Sequence, residues 1–282
     1  MKKKNEIVNG FIQTYGLEFF AVDHCNLKCY GCSQCSPFLE KHFADLSVFE
    51  KSLQVLRKYL RPNKITILGG EPLLHPEIDS LISIAISAKM FNKVHITTNG
   101  FNLLKMSSNF WSQVDVLRIS KYPINTDFVN NNLSNLKDKC RANNVELQIR
   151  EMNSFNHIIL SEKNTIKDVV EQIYHKCIYK YYCHTLSNDK IFRCSPIVNL
   201  EKYQSAIHSS FQYNPNDYLR IEDSFNFKEN LHSYLNSDNS LSGCQFCLGS
   251  SGKPFSHKQL TKDEILNPVK NSLSIENYDN HG

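Results

Sequence analysis

The sequence predicts an α/β fold, a partial (β/α) barrel followed by a small cysteine-rich domain on its C-terminal side. Between residues 17 and 155, apolar runs of strand length alternate with segments of helical periodicity, the pattern of parallel βαβ units. Five such strands are too few for a complete eight-unit barrel, which takes about 250 residues. After residue 165 the alternation stops and cysteines accumulate.

Each predicted strand is a short apolar run that precedes a turn or a helical segment. The strands are predicted at residues 17–23, 64–68, 94–98, 114–120 and 145–150. The helices are predicted at residues 47–60, 77–91 and 127–143, with a further one that closes at 110–114. Because parallel sheets bind ligands at the carboxyl ends of their strands, we expect functional residues in the loops that follow these strands.

The C-terminal half has weaker patterns. A helix is predicted at 166–174, and a hairpin at 184–193 turns at Ser187-Asn188-Asp189. We therefore expect an N-terminal extension at 1–16, a core at 17–155, a cysteine-rich domain at 165–253 and a tail at 254–282 without strong signals.

The composition is that of an ordinary globular protein, with 41% hydrophobic and 21% charged residues among 282. The net charge of +4 and a single short basic run, Lys2-Lys3-Lys4, predict no nucleic-acid partner. Neither an apolar run of the ~20 residues that span a bilayer nor a secretory signal is recognised, so we predict a cytoplasmic protein without a membrane partner. Ten cysteines in that compartment indicate cluster or metal ligands rather than disulfides.

The first cysteine group follows the first predicted strand. Cys25, Cys29 and Cys32 are separated by three and then two residues, so three thiolates of one loop can bind three irons of a [4Fe–4S] cubane. The fourth iron would then be open for chemistry. Two alternatives remain at this point: a ferredoxin-type run that includes Cys35, and a zinc half-site.

The spacing Cys25-x3-Cys29-x2-Cys32 after a first strand resembles the signature of the radical S-adenosylmethionine (radical SAM) superfamily. The segment LGGEP at 68–72 resembles the GGE motif with which that family holds the amino group of SAM. Glycines allow a close backbone approach to a ligand, and a carboxylate accepts hydrogen bonds from an ammonium group. The resemblance implies a SAM-binding [4Fe–4S] cluster and SAM as cofactors. It assigns SAM contacts to Gly69, Gly70, Glu71 and Pro72.

Further resemblances follow the third and fourth strands. Asn99 matches the family position that meets the ribose or carboxylate of SAM, and Ser120 matches a ribose-contacting serine. Many members carry an aromatic residue directly before the third cysteine, where this chain has Gly31. We therefore expect Tyr30 or the backbone to contact the adenine. We expect Cys35 either to be structural or to lie behind the cluster ligands without binding iron.

The second cysteine group contains five thiols. The predicted hairpin would bring Cys183 and Cys194 together, and Cys244 and Cys247 supply two more, which completes a second [4Fe–4S] site. Cys177 is the alternative to Cys183. The group resembles the auxiliary-cluster domain called SPASM, and more closely its short form, twitch. A structural zinc site with the same thiolates is the alternative.

The resemblance implies an enzyme that cleaves SAM reductively to a 5′-deoxyadenosyl radical and abstracts hydrogen from a small polar substrate. We expect oxidation or rearrangement of a sugar, nucleotide-sugar or cyclitol, with a flavodoxin- or ferredoxin-type electron donor. Four residues at predicted strand ends could contact the substrate: Lys121, Tyr122, Arg150 and Glu151. The alternative is that they form a solvated salt-bridge rim.

Two other functions compete with this one. A peptide-modifying maturase would carry a peptide-recognition domain, and only about 16 residues precede the first strand, too few for one. A non-catalytic iron–sulfur or zinc protein would bind metal without cleaving SAM.

Overall fold

The structure, a computed structural model, describes residues 5–274 and 277–278, so the Lys2-Lys3-Lys4 run lies outside the described residues. The strands of this part are β1 (Ile7–Val8), β2 (Phe11–Thr14), β3 (Leu17–Val22), β4 (Leu60–Pro62), β5 (Lys64–Gly69), β6 (Lys93–Thr98), β7 (Val116–Lys121), β8 (Glu146–Glu151), β9 (Ser154–Asn156), β10 (Thr185–Ser187), β11 (Lys190–Phe192), β12 (Tyr218–Arg220) and β13 (Pro254–Ser256). The helices are α1 (Leu46–Leu56), α2 (Ile78–Ser87), α3 (Ser108–Gln113), α4 (Thr126–Ala142), α5 (Lys167–Lys176), α6 (Tyr179–Tyr182), α7 (Leu200–Ala206), α8 (Phe227–Leu235) and α9 (Lys262–Leu266). Within these residues no helix has the length and apolar content that crossing a membrane requires.

The main sheet has eight strands in the order β12-β11-β10-β3-β5-β6-β7-β8. Strands β3, β5, β6, β7 and β8 run parallel, each paired with the next. In the described part of the chain, β12 and β8 are the two edges, so the sheet is open. The predicted α/β fold with a partial barrel is therefore confirmed, and the five predicted strands are the parallel strands β3, β5, β6, β7 and β8.

The core lies between this sheet and the helices that connect its strands. Phe49 of α1 stacks on Phe19 of β3 with 3.9 Å between ring centroids, and both side chains are almost fully buried. Leu53 of α1 and Leu81 of α2 are buried in the same cluster as Ile65 of β5. The helices thus use one apolar face each, as their sequence periodicity predicts.

Two predicted helices are shorter in the structure. The helix predicted at 47–60 ends at Leu56, and Leu60 instead begins β4, which pairs with β2. Leu60 is fully buried in that strand, so its apolar character fitted either assignment. The helix predicted at 77–91 ends at Ser87 because the chain turns through a left-handed Lys89, with φ of 51°.

The C-terminal half continues the main sheet. The predicted hairpin is confirmed, with Leu186 paired to Ile191 and a left-handed Asn188 at the turn. Its first strand pairs in parallel with β3, where Thr185 lies opposite Glu18. The main sheet therefore crosses the boundary predicted at 165, although the domain limits as a whole stay predictions. Helices α7 and α8 and strand β12 were missed because their segments lack clear periodicity.

The segment predicted as a tail is ordered by distant contacts. Strand β13 pairs with β9, so that Phe255 lies opposite Phe155. Further along, Thr261 and Glu264 form a capping box that begins α9. Because the strand partner is about a hundred residues away, no local pattern reveals it.

We expect Leu186→Ala to lower the free energy of unfolding by about 2–5 kcal/mol, because the side chain is fully buried in the main core. Urea unfolding followed by the fluorescence of buried Trp111 and by circular dichroism measures this, and the two transitions should coincide. Leu266→Ala, at a side chain that is 66% exposed, is the matched control and should change stability by less than about 0.5 kcal/mol. Equal stabilities of the two variants would contradict a shared core.

Candidate functional site

The carboxyl ends of the five parallel strands surround a cavity of about 420 Å³. Loops that follow β3, β5, β6 and β7 contribute to its wall, as expected for a parallel sheet. Predicted site residues that line it are Cys25, Cys29, Cys32, Gly69, Gly70, Glu71, Asn99 and Ser120. Sequence positions that are up to a hundred residues apart therefore meet at one cavity.

The three cysteines of the first group share the cavity, and their thiols are largely buried. Burial raises the pKa of Cys25 and of Cys29 to about 12, and it also raises the pKa of Cys32. The backbone N–H of Leu27 donates to Cys25 Sγ at 3.3 Å. Buried thiols of this kind become thiolates when a cationic metal centre binds them. Three cysteines that face one cavity fit the three-thiolate cluster predicted from their spacing.

Cys35 does not line the cavity. It is 3% exposed, adopts a left-handed φ of 58° and precedes a short 3₁₀ turn at Ser36–Phe38. Its backbone N–H donates to the carbonyl of Cys32 at 2.9 Å. The ferredoxin-type alternative therefore receives no support from this geometry, because Cys25 faces the cavity and Cys35 does not.

Glu71 ties two strand ends together. Its buried carboxylate accepts hydrogen bonds from Thr98 Oγ1 at 2.6 Å, from the Asn99 backbone N–H at 2.8 Å and from the Leu73 backbone N–H at 3.1 Å. Burial raises its pKa to about 7, against the lowering effect of these three donors. The carboxylate thus fixes the loop after β5 to the loop after β6.

Gly69 and Gly70 are required for a reason other than the expected approach of a ligand. A Cβ atom on Gly69, whose φ is +131°, would lie 2.3 Å from the Val22 carbonyl oxygen. A Cβ atom on Gly70 would lie 2.0 Å from the His24 carbonyl oxygen. The glycines therefore let the loop after β5 pack against the chain that leads from β3 into the cysteine loop.

Asn99 lies beside the cysteine loop. Its Nδ2 donates to Asn26 Oδ1 at 2.7 Å and is 3.8 Å from Cys25 Sγ. Two predicted cofactor contacts do not line the cavity. Pro72 begins a buried 3₁₀ turn, and the ring of Tyr30 lies against Phe255 at 5.1 Å between centroids. Tyr30 is turned away because the C-terminal segment offers its ring an apolar partner.

Contacts from the C-terminal segment to the cysteine loop were missed. Gln259 Nε2 lies 3.3 Å and His257 Nε2 lies 3.2 Å from Cys29 Sγ. A Cβ atom on Gly31 would lie 2.4 Å from the ring of Phe255, so an aromatic side chain at residue 31 has no room there. These contacts join residues more than two hundred positions apart, and no sequence signal identifies them.

Polar residues of the cavity floor were missed as well, although a signal exists. Glu18, Thr66 and Arg118 line the cavity from within strands whose neighbouring residues are mainly apolar. A polar residue on the inward face of a buried strand indicates a lined cavity. Tyr179 also lines the cavity. It begins the short helix α6, which ends directly before Cys183 and was not predicted.

The floor and rim carry unequal charges. Arg118 and Arg150 line the cavity, and Arg118 donates from Nε and Nη2 to Gln148 Oε1 at 3.1 and 3.0 Å. Lys121 pairs instead with Glu151 at 2.8 Å, which is the salt-bridge rim considered from the sequence. Burial raises the pKa of both lining carboxyl groups, Glu18 and Glu71, to about 7, so each carries only part of its negative charge near neutral pH beside the two guanidinium groups.

The second cysteine group surrounds a small apolar pocket. The thiols that line it are those of Cys177, Cys194, Cys244 and Cys247. The backbone N–H of Gly249 donates to Cys247 Sγ at 3.2 Å, and a Cβ atom on Gly249 would lie 2.8 Å from Cys177 Sγ. The pocket therefore brings together four thiols from three separate segments.

Cys183 does not line this pocket, and its thiol is hydrogen-bonded with Glu18. The reason is the pairing of β10 with β3, which places residue 183 beside the main sheet. The geometry therefore favours the alternative with Cys177 over the predicted set with Cys183. Within the described residues, no three His, Cys, Asp or Glu side chains are grouped so as to hold a single metal ion. All ten cysteines are free thiols.

Comparisons with known sequences agree with the first site. A family model described as a 4Fe-4S single cluster domain matches residues 15–148. The chain is 30% identical over 100 residues to GTP 3′,8-cyclase of Nostoc punctiforme, which covers 34% of this chain and 30% of that protein. It is 31% identical over 94 residues to Molybdenum cofactor biosynthesis protein 1 of Bos taurus, covering 32% and 14%. The chain thus spans less than a third of the length of either relative.

Solved structures give distant likenesses. A crystal structure of BtrN in complex with AdoMet and 2-DOIA matches with a TM-score of 0.44 and 14% identity, over 67% of this chain and 76% of that chain. Streptococcus suis SuiB bound to the precursor peptide SuiA matches with a TM-score of 0.36 and 16% identity, over 72% and 62%.

We expect the stability of a Glu18→Gln variant, relative to the unaltered protein, to rise with pH. Burial raises the pKa of Glu18 from 4.5 to about 7, so the native state holds this proton more tightly than the unfolded state. The stabilisation is therefore complete below pH 4.5 and is lost as the pH rises through 7. Because the cavity admits water, we expect a difference of about 2 kcal/mol at pH 8 and almost none at pH 4.5.

Urea unfolding at several pH values measures this difference. The exposed Glu50→Gln variant is the control and should follow the unaltered protein at every pH. A Glu18→Gln curve parallel to that of the unaltered protein would show that Glu18 ionises normally.

Proposed function

Because the chain belongs to the radical SAM superfamily of enzymes, with a [4Fe–4S] cluster and SAM as cofactors, we propose that it cleaves SAM reductively and abstracts hydrogen from a small polar substrate. The observation that carries this proposal is the convergence of Cys25, Cys29 and Cys32 with the Gly69–Glu71 turn on one cavity. When bound, the cluster supplies one electron to the sulfonium of SAM, whose C–S bond breaks to give methionine and a 5′-deoxyadenosyl radical.

The cysteine loop would bind the cluster, and the loops and strand ends after β5, β6 and β7 would bind SAM. Cys25, Cys29 and Cys32 hold the cluster and leave one iron without a protein ligand. Glu71 and the turn before it receive the amino group of SAM, since the buried carboxylate lies at the cavity wall. Asn99 and Ser120, which follow β6 and end β7, meet the ribose and carboxylate.

The adenine contact falls to the backbone beside the third cysteine. Gly31 lines the cavity, whereas the ring of Tyr30 packs on Phe255 outside it. Phe155 also lines the cavity and lies within edge contact of Tyr122 at 5.7 Å between centroids. These two rings exclude water from the side of the cavity that faces the cysteine loop.

The charge of the floor favours an anionic substrate. Arg118 and Arg150 both line the cavity, and planar guanidinium groups bind phosphate oxygens in pairs. Of the sugar, nucleotide-sugar and cyclitol classes, the nucleotide-sugar carries phosphates. The relative named GTP 3′,8-cyclase has a name that refers to a nucleotide as well. We therefore place a nucleotide-sugar first among the substrates. Loss of one hydrogen atom would begin its rearrangement or its oxidation, and oxidation would also require release of a proton and transfer of one further electron to the auxiliary cluster.

The second cysteine group holds an auxiliary [4Fe–4S] cluster in this proposal. Its ligands are Cys177, Cys194, Cys244 and Cys247, because these four line one pocket. Cys183 remains beside Glu18 at the floor of the main cavity. The auxiliary cluster would then stand behind the hairpin that extends the main sheet, as in the SPASM or twitch arrangement.

The surroundings of the protein follow from the same chemistry. Reduction of the first cluster requires a one-electron donor, for which a flavodoxin- or ferredoxin-type protein is suited. Ten free thiols fit the reducing cytoplasm. Because the net charge is only +4, we continue to predict that nucleic acid is not a partner.

We expect the anaerobically reconstituted protein to form 5′-deoxyadenosine from SAM when dithionite is added. Cys25→Ala should reduce the yield to background, because the cluster loses one of three thiolates. Cys140→Ala, which removes a buried thiol from α4 outside both groups, should leave the yield unchanged. Chromatographic quantification of 5′-deoxyadenosine measures all three proteins.

Equal, background yields from the unaltered protein and Cys25→Ala would identify a non-catalytic iron–sulfur or zinc protein instead. The same assay with added nucleotide-sugars tests the substrate class. A substrate should accelerate the formation of 5′-deoxyadenosine. When the substrate is deuterated on its sugar ring, deuterium should appear in the 5′-deoxyadenosine. If neutral cyclitols do this and nucleotide-sugars do not, the assignment of substrate class is wrong.

We expect Cys177→Ala and Cys183→Ala to differ in iron content. About eight irons should be present in the unaltered protein and in Cys183→Ala, and about four in Cys177→Ala, since only Cys177 lines the second pocket. Iron, sulfide and zinc analysis of anaerobically purified protein provides the measurement. If only Cys183→Ala loses iron, the ligands are instead Cys183, Cys194, Cys244 and Cys247, as the hairpin predicts. If the protein contains zinc in place of four of the irons, the second group is a zinc site.

A further inference from the structure

We propose that the C-terminal strap, defined as residues 254–260, sets the reduction potential of the first cluster through His257 and Gln259. Both side chains direct nitrogen atoms at Cys29 Sγ, His257 Nε2 at 3.2 Å and Gln259 Nε2 at 3.3 Å. They are positioning residues, because they act through the thiolate of Cys29. The inference rests on the proposed function, since it requires a cluster on that thiolate.

Gln259 is held so that its amide nitrogen faces the sulfur. Its Oε1 accepts the backbone N–H of Lys28 at 2.7 Å, which leaves Nε2 as the donor toward Cys29. The amide orientation is therefore set by the cysteine loop itself, since only the oxygen can accept from Lys28.

His257 is held by aromatic packing. Its ring stacks on that of Tyr122 at 4.9 Å with 24° between planes, and Phe155 meets it edge-on at 5.0 Å. Its backbone N–H donates to the Asn153 carbonyl at 2.9 Å. The ring therefore has little freedom to leave the sulfur.

The strap is joined to the cysteine loop by backbone hydrogen bonds on both sides of Cys29. The Leu260 N–H donates to the Lys28 carbonyl at 2.6 Å, and the Tyr30 N–H donates to the Lys258 carbonyl at 2.9 Å. At its other end β13 pairs with β9, directly after the last parallel strand. The strap thus bridges the open edge of the sheet and the loop that holds the cluster.

The environment of Cys29 differs from that of its two neighbours. Cys25 receives a backbone N–H from Leu27 and has one side-chain amide nitrogen, Asn99 Nδ2, at a longer 3.8 Å. The sulfur of Cys32 lies 3.6 Å from the oxygen Gln34 Oε1. Cys29 instead has two side-chain nitrogen atoms beside its sulfur. The Gln259 amide donates to it, and His257 Nε2 donates in the tautomer that carries its proton there, with 3.4 Å between the two nitrogens. Substitution can remove both contacts without altering the backbone.

Hydrogen bonds to a cluster thiolate raise the reduction potential. Each N–H group stabilises negative charge on sulfur, and the reduced cluster carries one more electron than the oxidised one. With both donors present, the first cluster accepts an electron more readily than it would without them. The strap therefore makes the first cluster easier for the electron donor to reduce.

Two variants remove the donors with small changes of shape. His257→Phe keeps a ring that can stack on Tyr122 and loses the N–H. Gln259→Glu keeps an oxygen for the Lys28 N–H and loses the amide donor, but its carboxylate also adds negative charge beside the sulfur, so the neutral His257→Phe is the deciding variant. Ser256→Ala, at an exposed strap residue, is the matched control. His257→Gln, which restores a side-chain N–H, serves as the rescue variant.

The experiment is a redox titration of the holoenzyme followed by EPR, in which the signal altered by SAM identifies the first cluster. We expect each of His257→Phe and Gln259→Glu to shift the one-electron equilibrium about tenfold toward the oxidised form, about 59 mV more negative. Ser256→Ala should match the unaltered protein, and His257→Gln should recover most of the shift. Iron content and circular dichroism verify that each variant is loaded and folded.

The outcomes separate the two proposals. An unaltered protein that binds a cluster and cleaves SAM, with both variants loaded and unshifted in potential, would overturn the inference and leave the proposed function intact. If Gln259→Glu does not bind the cluster, His257→Phe alone tests the inference. An unshifted reduction potential in His257→Phe would then contradict the role of the strap. An unaltered protein without a SAM-responsive EPR signal would instead remove the proposed function on which the inference rests.

Discussion

The buried carboxylate of Glu71 is the contact on which the arrangement of the site depends. It accepts hydrogen bonds from Thr98 and from the backbone of Asn99, and so locks together the loops after β5 and β6. The glycines before it pack against the carbonyl groups of Val22 and His24, which brings the cysteine loop to the same point. A parallel sheet places strand ends side by side, but these contacts fix their loops closely enough for a shared ligand.

The C-terminal half completes the site in two different ways. Strands β10 to β12 extend the sheet beyond β3, which places Glu18 of β3 opposite Thr185 of the hairpin. The strap returns on the other side, pairs with β9 and reaches the cysteine loop. The cavity and the cysteine loop beside it are therefore bounded by segments from both halves of the chain.

The sequence predicts those features that depend on local patterns. Strand β5 is a short apolar run with a turn after it, and the spacing of Cys25, Cys29 and Cys32 is a property of one loop. The partners of Cys29 and the exclusion of Cys183 from the second pocket depend on pairing between distant segments. Hairpin geometry alone indicates that Cys183 and Cys194 lie at the same end of the hairpin. The pairing of β10 with β3 decides which way they face.

Gly31 shows how one substitution in a motif is linked to a distant part of the fold. Where a bulky residue would stand, the ring of Phe255 occupies the space, 2.4 Å from an added Cβ atom. That ring belongs to the strap whose next residues direct His257 and Gln259 at Cys29. A larger residue at 31 would displace Phe255 and with it the donors to the thiolate. The glycine and the strap therefore form one unit, in which the loss of an aromatic side chain from the cysteine loop makes room for the segment that hydrogen-bonds its central sulfur.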